Sequence, residues 1–442
     1  MSWQAPKAPR GMPDILPDDV PRWRRLEDTA RDLLERYGYR EIRTPLLEST
    51  DLFARGIGEV TDIVEKEMFS LAVGSKDRPE SLSLRPEFTA SVVRALLEHN
   101  LHRKKPFWKL YSIGALFRYE RPQAGRQRQF HQINGEALGS YDPLLDVEMI
   151  DLADQILRRL GVEDYRLRLN SLGCAGCRGR YREVLRDFLR PRLAEMCETC
   201  KGRFDRNVFR ILDCKSPTDK AIVASVPPME QHLCDPCRAH FDAVKAGLDR
   251  LEIAYQVDPQ LVRGFDYYTR TVFEFPCARL GAQDAVGGGG RYDRLIPDMG
   301  GPEAGAVGFA FGMERLLLAL EPKPAAAGAS DADARAGVPV APDGAARGGV
   351  FVAAFPETRA VASAVLAELR RGAVPADLDY EGRSLKAAMR VADREGYAFV
   401  AIVGEDEARE GSVTLKDMRA GTQARVARGD LVSAVRGVKA GG

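Results

Sequence analysis

The chain has 442 residues, of which 45% are hydrophobic, a composition that predicts more than one packed domain and excludes global disorder. Lys and Arg total 65 and Asp and Glu total 64, so the formal net charge is +1. This balance excludes a general electrostatic attraction to nucleic acid, and any site for a polyanion must be a local patch.

The N-terminal sequence MSWQAPKAPRGMPDILP has no apolar core and no cleavage signal, so it does not resemble a secretory peptide. No run of about 18 apolar residues appears in the chain, which argues against a membrane span. We therefore expect a cytoplasmic protein that makes no contact with a membrane.

The long first part of the chain mixes helical and strand patterns. Helices are predicted over residues 22–37, 88–99, 143–160 and 312–320. Strands are predicted over residues 39–44, 107–118, 130–139, 165–170 and 268–275. The polar loop RYERPQAGRQRQ joins the second and third of these strands, which indicates an antiparallel hairpin. We expect an α+β region with a mainly antiparallel sheet.

The last part of the chain has a different pattern. Residues 323–348 are rich in Ala, Gly, Pro and Asp and nearly free of large apolar side chains, which indicates a flexible linker. Beyond it, strands are predicted at 350–354 and 398–403 and helices at 358–371 and 386–395. Strands that alternate with helices favour a small α/β domain with a mostly parallel sheet.

The loop of the predicted hairpin concentrates arginines. Its candidate ligand-binding side chains are Arg118, Glu120, Arg121, Arg126, Arg128 and, just beyond the loop, Phe130. Arginines on a rigid hairpin suit a polyphosphate, because each guanidinium bonds two phosphate oxygens, and an aromatic ring can stack on a base. A solvated, charged hairpin tip is an equally compatible interpretation.

Three further segments are weak signals when taken singly: LVRGFDYYTRTVFEF, GGGGRYD and GFAFGMERL. Tyr267 and Tyr268 are adjacent on a predicted strand, so they point to opposite faces and at most one lines a given pocket. Arg263 precedes Gly264, which permits close approach of a ligand. Glycine runs are more often flexible loops than phosphate sites, and Arg315 alone is typical of a surface residue.

Together these segments resemble the class II aminoacyl-tRNA synthetases, and within them the histidyl-tRNA synthetase family. FRYERP with GRQRQFHQINGE is similar to the second class II motif, GFAFGMERL to the third, and TPLLE to the first. RGFDYYTRTVFEF and GGGGRYD resemble the two segments peculiar to the histidine enzymes, and LRPEFTA resembles their amino-acid-binding loop. The resemblance runs from about residue 9 to the C-terminus.

The resemblance implies a definite domain organisation. An α+β catalytic domain with a mainly antiparallel, class II sheet covers residues 1–170 and 256–322. A helical, cysteine-rich insertion occupies 171–255, a linker 323–348, and an α/β anticodon-binding domain 349–442. The first class II motif lies at the dimer interface in that class, so we also expect a homodimer.

The implied activity is that of an ATP-dependent histidine–tRNA ligase. The carboxylate of L-histidine attacks the α-phosphorus of ATP, pyrophosphate leaves, and histidine passes to the 3′ end of tRNA(His). Negative charge that develops on the phosphate oxygens requires positive charge and precise positioning. The resemblance assigns Arg118 to the histidine carboxylate and the α-phosphate, and Arg263 to the α-phosphate from the opposite side.

The remaining ATP contacts are also carried over from the family. Glu120 should bond the adenine amino group, while Phe130 and Arg315 cover the two faces of the ring. Arg315 should also contact the γ-phosphate. Arg126 and Arg128 are candidates for the β- and γ-phosphates or for the end of the tRNA, and Mg²⁺ should accompany ATP.

A histidine pocket needs polar partners for an ammonium group and an imidazole. The residues that match the family's pocket are Glu87, Thr89, Gln132, Glu136, Tyr267, Tyr268 and Tyr292. The first three should bond the α-amino group, Glu136 and Tyr268 the two ring nitrogens, and Tyr292 should close the pocket. Gln132 and Glu136 differ by an even number of residues, so both lie on one face of their strand.

One residue departs from the family's pattern. Its amino-acid-binding loop usually has Gly where this chain has Phe88. A backbone position with φ > 0 would strain Phe. We therefore expect Phe88 to point away from the ligand and to pack in the core.

The C-terminal segments SLKAAMRVADREGYAFVAIVGEDE and SVTLKDM resemble the anticodon-binding domain of the group. Arg383, Lys386 and Arg390 lie at helical spacing and form a predicted basic face that suits RNA phosphates. A solvated helix face is an equally compatible interpretation of each of these residues.

Seven of the eight cysteines lie between Cys174 and Cys237. Six of them form the CxxC pairs Cys174–Cys177, Cys197–Cys200 and Cys234–Cys237, with Cys214 between the second and third. Two such pairs can form a tetrahedral structural zinc site, but three pairs leave open which of them combine. Without an export signal, disulfides are disfavoured; buried thiols and a redox-sensitive patch are the alternatives.

Two other functions compete with the synthetase. A paralogue of the family is the histidine-sensing regulatory subunit of ATP phosphoribosyltransferase, which typically lacks the anticodon domain and the catalytic arginines. This chain has Arg118, Arg263 and Arg315. The second alternative is a class II synthetase for another amino acid, against which RGFDYYTR and the pair Gln132 and Glu136 argue.

Overall fold

A computed structural model of the chain describes residues 6–57, 61, 63–75, 78–281, 284–321, 349–379 and 383–437. The chain forms two compact units, Met1–Lys323 and Pro324–Gly442. The predicted linker at 323–348 lies outside the described residues. Within the described ranges, no helix is both long and apolar enough to cross a membrane.

The first unit combines helices and strands. Its helices are α1 (Val20–Arg36), α2 (Thr50–Ile57), α3 (Thr89–Glu98), α4 (Leu101–Lys104), α5 (Pro143–Leu160), α6 (Ala175–Leu189), α7 (Glu198–Arg206), α8 (Pro217–Val223), α9 (Asp235–Arg250), α10 (Leu295–Asp298) and α11 (Met313–Ala319). Its strands are β1 (Arg40–Glu41), β2 (Leu47–Ser49), β3 (Ser70–Ser75), β4 (Arg78–Leu84), β5 (Trp108–Phe117), β6 (Gln129–Leu138), β7 (Arg168–Ser171), β8 (Gln256–Val257), β9 (Thr269–Pro276), β10 (Ala285–Arg291) and β11 (Ala306–Gly312). Short 3-10 helices cover Arg190–Glu195, Val208–Ile211, Met229–His232 and Ala278–Leu280, and a π-helical turn covers Ile63–Glu67.

Among the described residues, eight strands form one sheet in the order β1-β5-β6-β11-β10-β9-β7-β8. Its inner pairs are antiparallel and only the outermost pairs, β1–β5 and β7–β8, are parallel, which confirms the predicted mainly antiparallel sheet. Strands β5 and β6 pair from Trp108 opposite Leu138 to Phe117 opposite Gln129, as the predicted hairpin requires. Strands β2, β4 and β3 form a second, antiparallel sheet.

The strand predicted over residues 39–44 is much shorter than expected. Only Arg40 and Glu41 pair with β5 as a strand, followed by a bond from the Ile42 N–H to the Tyr111 carbonyl. The Thr44 and Pro45 carbonyls instead accept from the buried Arg85 guanidinium, at 2.7 and 3.4 Å. A tertiary contact from a distant arginine therefore replaces the ladder that local propensity favours.

The two faces of the large sheet bury different groups. Ile133 and Ala137 of β6 pack in one core with Leu26 and Leu34 of α1, together with the apolar face of α5. Leu138 belongs to a separate core, with Leu110 and the apolar side of α3. Because side chains alternate along a strand, Glu136 shares the face of Leu138 rather than that of α1 and α5.

Helices α6 to α9 form the insertion between β7 and β8. Helices α6, α7 and α9 each begin immediately after a cysteine: Cys174, Cys197 and Cys234 are their N-cap residues. The second cysteine of each CxxC pair lies three residues later, in the first turn of the helix. Cys177, Cys200 and Cys237 are buried, so the helix starts direct their sulfur atoms inward.

The second unit is a layered α/β fold. Its elements are β12 (Val350–Ala354), α12 (Arg359–Arg371), β13 (Ala376–Leu378), α13 (Leu385–Arg394), β14 (Phe399–Val403), α14 (Glu405–Glu410), β15 (Ser412–Asp417), β16 (Gln423–Ala427) and α15 (Leu431–Gly437), with 3-10 turns at Pro356–Thr358 and Arg428–Asp430. Val350 and Val352 pack with α12 and α15, whereas Phe351 and Ala353 pack with α13. Alternation along β12 thus buries both faces of the sheet.

The prediction of a mostly parallel sheet in this unit was wrong. The described strands have the order β13-β12-β14-β15-β16, in which β12 is parallel to β13 and β14 but β14–β15 and β15–β16 are antiparallel. The hairpin β15–β16 has weak apolar alternation, because most side chains of β16 are exposed. Apolar periodicity consequently gave no signal for it.

The predicted basic helix face is also smaller than expected. Arg383 precedes α13, and its Nη1 donates to Asp379 Oδ1 at 2.7 Å. Lys386 and Arg390 lie on α13 and are exposed. Helical spacing therefore holds for these two residues but not for Arg383.

Candidate active site

A cavity of about 780 Å³ opens on the face of the large sheet that carries Glu136. Its wall comes from the β5–β6 hairpin, the segment before β9, strands β10 and β11, the start of α11, and the insertion. The sequence-predicted residues that line it are Glu87, Thr89, Arg118, Glu120, Arg126, Phe130, Gln132, Glu136, Arg263, Tyr267, Tyr268, Tyr292 and Arg315. Arg128 is not in this lining; its guanidinium stacks 4.1 Å from the centre of the Tyr119 ring.

Glu136 lies at the centre of a buried hydrogen-bond network. Its carboxylate accepts from Thr89 Oγ1 at 2.5 Å and from Asn134 Nδ2 at 3.0 Å. The Tyr292 hydroxyl donates to its other oxygen. The Glu136 side chain is 1% exposed, so its remaining acceptor capacity faces the cavity rather than bulk water.

Burial changes the protonation of Glu136. Desolvation raises the pKa of its carboxyl group from 4.5 to about 7, against the opposing effect of the donors Thr89, Tyr292 and Asn134. A carboxyl group with a pKa near 7 accepts or donates a hydrogen bond depending on a small change of pH. This property suits recognition of a group that titrates in the same range, such as an imidazole.

Glycines clear the space that the Glu136 carboxylate occupies. Gly308 of β11 lies directly opposite Glu136 of β6. A Cβ atom at Gly308 would overlap the carboxylate, and one at Gly288 would meet backbone of β9 and approach Arg263 Nη1 to 3.0 Å. Only glycine at these positions leaves both charged side chains in the cavity.

The glycine run 287–290 is therefore not the flexible loop that such runs usually form. It lies within β10, where each of its residues pairs with β9 on one side and β11 on the other. A Cβ at Gly287 would overlap the Phe311 ring and the Ala310 carbonyl. Close packing against a neighbouring strand and its side chains explains the absence of side chains here.

The segment before α3 supplies two more polar groups. Glu87 is 3% exposed, and its carboxylate accepts from the Thr89 N–H at 2.6 Å and the Ala90 N–H at 2.8 Å. Burial raises the pKa of the Glu87 carboxyl group, although these N–H groups oppose the shift. Glu87 thus satisfies the first turn of α3 while it lines the cavity.

Phe88 has φ −95° and ψ −34°, which any residue adopts, so its replacement of glycine introduces no backbone strain. Its side chain is 2% exposed, as expected for a core residue, and the Arg85 guanidinium lies 4.5 Å from its ring centre. It also forms part of the cavity wall next to Glu87 and Thr89, so it is not separated from the ligand cavity as expected.

Both tyrosines of the DYY sequence line the cavity, so the expectation that at most one would do so was wrong. The strand β9 begins at Thr269, one residue after Tyr268, and the strand alternation does not apply to the tyrosines. The ring centres of Tyr267 and Tyr268 are 4.7 Å apart, and Tyr267 meets Tyr292 edge-on at 5.5 Å. The three rings form one aromatic wall beside Glu136.

The Arg263 side chain is held by a hydrogen bond from Nη1, whereas its Nε has no partner in the described part of the chain. Its Nη1 donates to Glu274 Oε1 at 2.9 Å, and its guanidinium lies 5.8 Å from the Tyr268 ring centre. Its Nε is buried and has no hydrogen-bond partner among the described residues. A buried donor without a partner costs free energy of about 1–3 kcal/mol, which a bound anion in the cavity would recover.

Arg118 emerges from the end of β5 and faces the same space. Its Nε donates to the Pro86 carbonyl at 3.0 Å, which orients the guanidinium. The guanidinium lies 5.1 Å from the Phe130 ring centre and 5.8 Å from that of Phe265. Burial lowers the pKa of Arg118, yet an arginine keeps its charge, so a desolvated cation faces the cavity.

The hairpin loop and α11 form the opposite side of the cavity. Arg126 Nη1 donates to Glu120 Oε2 at 3.0 Å, so part of the charge of Arg126 is already paired. Arg315 lies in the first turn of α11, and its Nε donates to the Ala285 carbonyl at 2.5 Å. Although a helical Arg alone is typical of the surface, this contact with β10 directs it into the cavity lining.

Several lining residues were missed from the sequence. Asn134 follows the even spacing of Gln132 and Glu136, so strand alternation would have identified it. Glu274 pairs with Arg263 but offered no separate signal. The insertion contributes Arg210, Lys215 and Lys220, and nothing local distinguishes these from other basic residues of the chain.

Seven of the cysteines lie in two groups, and these groups show which CxxC pairs combine. The first and third CxxC pairs combine, so that Cys174, Cys177, Cys234 and Cys237 lie together. The second pair, Cys197 and Cys200, lies instead with Cys214 and Asp219. In each group the four potential ligand atoms lie within 4.8 Å of one another, and the eight cysteines are free thiols.

Comparisons with known proteins give matches along nearly the whole chain. Residues 11–316 match the family model of histidyl-tRNA synthetase, and residues 349–437 match that of the anticodon-binding domain. A histidine–tRNA ligase of Desulforudis audaxviator is 48% identical over 97% of this chain and 98% of its own length. One from Moorella thermoacetica is 47% identical over 98% of this chain and 99% of its own.

A solved structure shows the same fold. The apo histidyl-tRNA synthetase of S. aureus superposes with a TM-score of 0.77 at 32% identity, covering 98% of this chain and 100% of that one. The similarity spans both units.

Proposed function

The chain belongs to the histidyl-tRNA synthetase family, and we propose that its cavity binds histidine and ATP side by side for the adenylation step. The chain is an ATP-dependent histidine–tRNA ligase, and its relatives are named histidine–tRNA ligases. The observation that carries the assignment of the site is the convergence of Arg118 and Arg263 on the cavity that contains Glu136.

Histidine occupies the end of the cavity beneath the tyrosines. Glu136 and Tyr268 bond the two imidazole nitrogens, while Tyr267 and Tyr292 enclose the ring. Glu87, Thr89 and Gln132 surround the α-amino group. The buried carboxylate of Glu136 favours a side chain with a ring N–H, since an apolar side chain would leave its remaining acceptor capacity, which faces the cavity, unused.

ATP occupies the end formed by the hairpin and α11. Phe130 stacks on the adenine from one side and Arg315 covers it from the other, while Glu120 accepts from its amino group. Arg315 also reaches the γ-phosphate. Arg126 serves the β- and γ-phosphates, and Arg128 serves the triphosphate or the tRNA end after a change of side-chain conformation.

Arg118 and Arg263 act on the transferring phosphate. Histidine activation forms a bond between its carboxylate oxygen and the α-phosphorus and breaks the bond to the pyrophosphate oxygen. Arg118 neutralises the carboxylate and one α-phosphate oxygen, and Arg263 stabilises the opposite oxygen with its unpaired Nε. Both are already desolvated and oriented, so little reorganisation is needed.

Synthetases of this kind use ATP with Mg²⁺, which neutralises phosphate charge when bound. Glu274 and Asp284 line the same cavity and offer the carboxylate oxygens that Mg²⁺ prefers. Glu274 also accepts from Arg263, so this carboxylate would serve both cations when Mg²⁺ is bound.

The second unit binds the anticodon region of tRNA(His), in accord with its family match. Lys386 and Arg390 of α13 are the exposed cations that we assign to RNA phosphates.

A homodimer is part of the proposal. Leu46 and Leu47, within the motif that resembles the class II dimer motif, are 48% and 40% exposed. Leu71 and Val73 of the same small sheet are 46% and 38% exposed. An exposed apolar patch of this kind is typical of an interface between protein chains.

Cys174, Cys177, Cys234 and Cys237 form a structural zinc site in the insertion. Cys174 Sγ lies 3.7 Å from Cys177 Sγ and 4.0 Å from Cys234 Sγ. A tetrahedral zinc ion with Zn–S bonds of about 2.3 Å separates its sulfur ligands by about 3.8 Å. Bound there, the ion would join the starts of α6 and α9.

The regulatory-subunit alternative is disfavoured, because the chain retains the three arginines and the anticodon-binding unit. ATP–pyrophosphate exchange with each of the twenty amino acids tests the proposal. Exchange with histidine alone is expected. Exchange with none would refute the enzyme, and exchange with a different amino acid would refute the specificity.

Arg263→His tests the assignment of the reacting groups. The variant should bind histidine measurably in calorimetry, because Glu136 and the tyrosines are unchanged. Its adenylation rate should fall by about 100-fold or more, since a phosphate-stabilising donor is lost. Near-normal exchange by this variant would refute the role of Arg263.

A further inference from the structure

The second cysteine group differs from the first in composition and position. Cys197 and Cys200 lie at the start of α7, Cys214 follows the 3-10 helix Val208–Ile211, and Asp219 lies in α8. Cys197 Sγ and Cys214 Sγ are 3.9 Å apart. Three separate segments of the insertion therefore bring their ligand atoms to one point.

Asp219 completes the group. Its side chain is 0% exposed, and its carboxylate accepts from Cys214 Sγ and from the Cys197 N–H, both at 3.1 Å. A buried carboxylate among thiols is costly unless a cation compensates its charge. Three thiolates and one carboxylate are a ligand set that binds a divalent zinc ion.

The distances fit a metal better than a disulfide. Sulfur ligands on a tetrahedral zinc ion are about 3.8 Å apart, whereas a disulfide requires about 2.0 Å. The separation of 3.9 Å between Cys197 Sγ and Cys214 Sγ is close to the first value. A CxxC pair at a helix start, with two ligands from elsewhere, is also a common geometry of structural zinc sites.

We propose that Cys197, Cys200, Cys214 and Asp219 bind a second zinc ion, and that this ion fixes the insertion's wall of the active-site cavity. The two zinc sites are independent, because they share no ligand. The binding part of this proposal does not rest on the proposed function.

The second site is directly connected to the cavity. Cys214 itself lines the cavity, as do its neighbours Asp213 and Lys215 and, from α8, Lys220. Cys214 precedes Lys215 and Asp219 precedes Lys220 in the chain. Two ligands of the proposed ion are therefore each adjacent to a lysine that lines the cavity. By contrast, Cys174, Cys177, Cys234 and Cys237 are not in the lining.

The segment between Cys200 and Cys214 also contacts the catalytic segment before β9. Asn207 Nδ2 donates to Asp266 Oδ1 at 2.9 Å, and Arg210 Nη1 donates to the Gly264 carbonyl at 3.1 Å. Arg263 and Tyr268 lie in this same segment. A metal that closes residues 200–214 into a loop lowers the conformational entropy of the wall and stabilises these contacts.

Counting zinc on the intact chain tests the site. Native mass spectrometry of the full chain, purified with zinc and without chelator, should give two zinc ions per chain. Cys214→Ser and Cys237→Ser should each retain one, from different sites. Cys277→Ser is the matched control, because Cys277 is buried, follows β9 and lies outside both groups. This variant should retain two zinc ions.

The conservative variant Asp219→Cys keeps the test informative if Cys214→Ser folds poorly. It restores four thiolates and should retain two zinc ions, whereas Asp219→Ala should retain one. One zinc ion on the natural chain, unchanged in Cys214→Ser or Asp219→Ala, would refute the second site. These counts do not depend on catalysis, so they remain decisive whatever the exchange assay shows.

Hydrogen–deuterium exchange tests the coupling to the cavity. In Asp219→Ala, amides of residues 207–220 and 261–268 should exchange faster than in the natural chain, while Cys277→Ser leaves them unchanged. The KM for histidine should rise about tenfold, a magnitude typical of lost support around a site. Loss of one zinc ion with unchanged exchange in both segments would refute the coupling.

Discussion

The sheet of the first unit buries charged groups, whereas the strands of the second unit bury mainly Val, Ala, Phe and Leu. In the first unit, Arg291 of β10 and Asp146 of α5 are both 0% exposed and form an ion pair at 2.7 Å. In the second unit, ion pairs such as Arg425–Glu410 lie on the surface.

The difference shows how a sheet accommodates a site. Strand β10 replaces side chains by glycine and thereby leaves room for Arg263 and aromatic rings of its neighbours, while Gly308 of β11 leaves room for Glu136. Strand β14, FVAIV, instead fills both of its faces with apolar side chains. The first arrangement requires partners for its buried charges. Four experiments test this requirement, the fit and titration of Glu136, and the exposed charges of the second unit.

The largest effect is expected from Asp146→Ala. Burial alone would raise the pKa of Asp146, but the Arg291 guanidinium and His240 keep this pKa below its usual value. Loss of the carboxylate leaves Arg291 buried without its main partner, so the free energy of unfolding should fall by about 3–5 kcal/mol. Urea unfolding followed by tryptophan fluorescence measures it, because all three tryptophans lie in the first unit.

Asp32→Ala is the control for this experiment. It removes an ion pair with Arg36 whose side chains are 47% and 57% exposed, and it should leave the transition unchanged. Equal destabilisation by the two variants would show that the buried ion pair contributes no more to stability than an exposed ion pair.

Gly308→Ala should give the next largest effect. The added methyl group would displace the Glu136 carboxylate, and a displacement of about 1 Å in a reacting site can cost about 100-fold in rate. We expect this loss in kcat/KM for histidine in pyrophosphate exchange. Gly437→Ala in the second unit has open space around its Cβ and should be neutral. If the activity of Gly308→Ala is within a few fold of that of the natural chain, Gly308 is not needed to leave space for the Glu136 carboxylate.

The pH dependence of histidine binding should show a smaller effect. If the ionised Glu136 accepts from the imidazole N–H, affinity should rise about tenfold from pH 6 to 8, as the carboxyl group titrates near its pKa of about 7. Glu136→Gln should retain only the titration of the ligand itself. Calorimetric titrations across this range measure both, and identical pH profiles would refute the assignment.

The raised pKa of Glu136 affects folding stability in the opposite direction: affinity for histidine rises with pH, but stability falls. The folded chain retains a proton on Glu136 that the unfolded chain releases above a pKa of 4.5. The contribution of this group is therefore complete below pH 4.5 and is lost as the pH rises to about 7. Glu136→Gln should remove that part of the pH dependence of unfolding.

The smallest effects are expected on the second unit. Lys386→Gln and Arg390→Gln should each weaken tRNA(His) binding by about threefold and reduce its salt dependence, since each removes one phosphate contact. Arg394→Gln, on the same helix but paired with Glu395, is the matched control and should be neutral. Filter binding at several salt concentrations measures this series. Unchanged affinity and salt slope in the first two variants would contradict the assigned RNA face.

Local patterns were sufficient for the longest helices and for the central hairpin. The predicted helices at 22–37, 88–99 and 143–160 are α1, α3 and α5, and the predicted hairpin is β5–β6. These elements have strong periodicity and clear ends; α5, for example, begins after Asp142, whose carboxylate accepts from the Leu144 N–H at 2.9 Å. Prediction failed where a distant group intervened, as Arg85 does at Thr44, or where polar side chains hide a strand, as in β16.

The sequence by itself determined the family, the class of fold and thirteen of the residues that line the cavity, because motifs and periodicity are local properties of the chain. The tertiary structure alone decided which cysteines meet, that Tyr267 and Tyr268 share one wall, and that Gly308 faces Glu136. It also placed the insertion's Lys215 and Lys220 at the cavity. The physical reason is that proximity between distant segments depends on packing and strand register, which no short window of sequence contains.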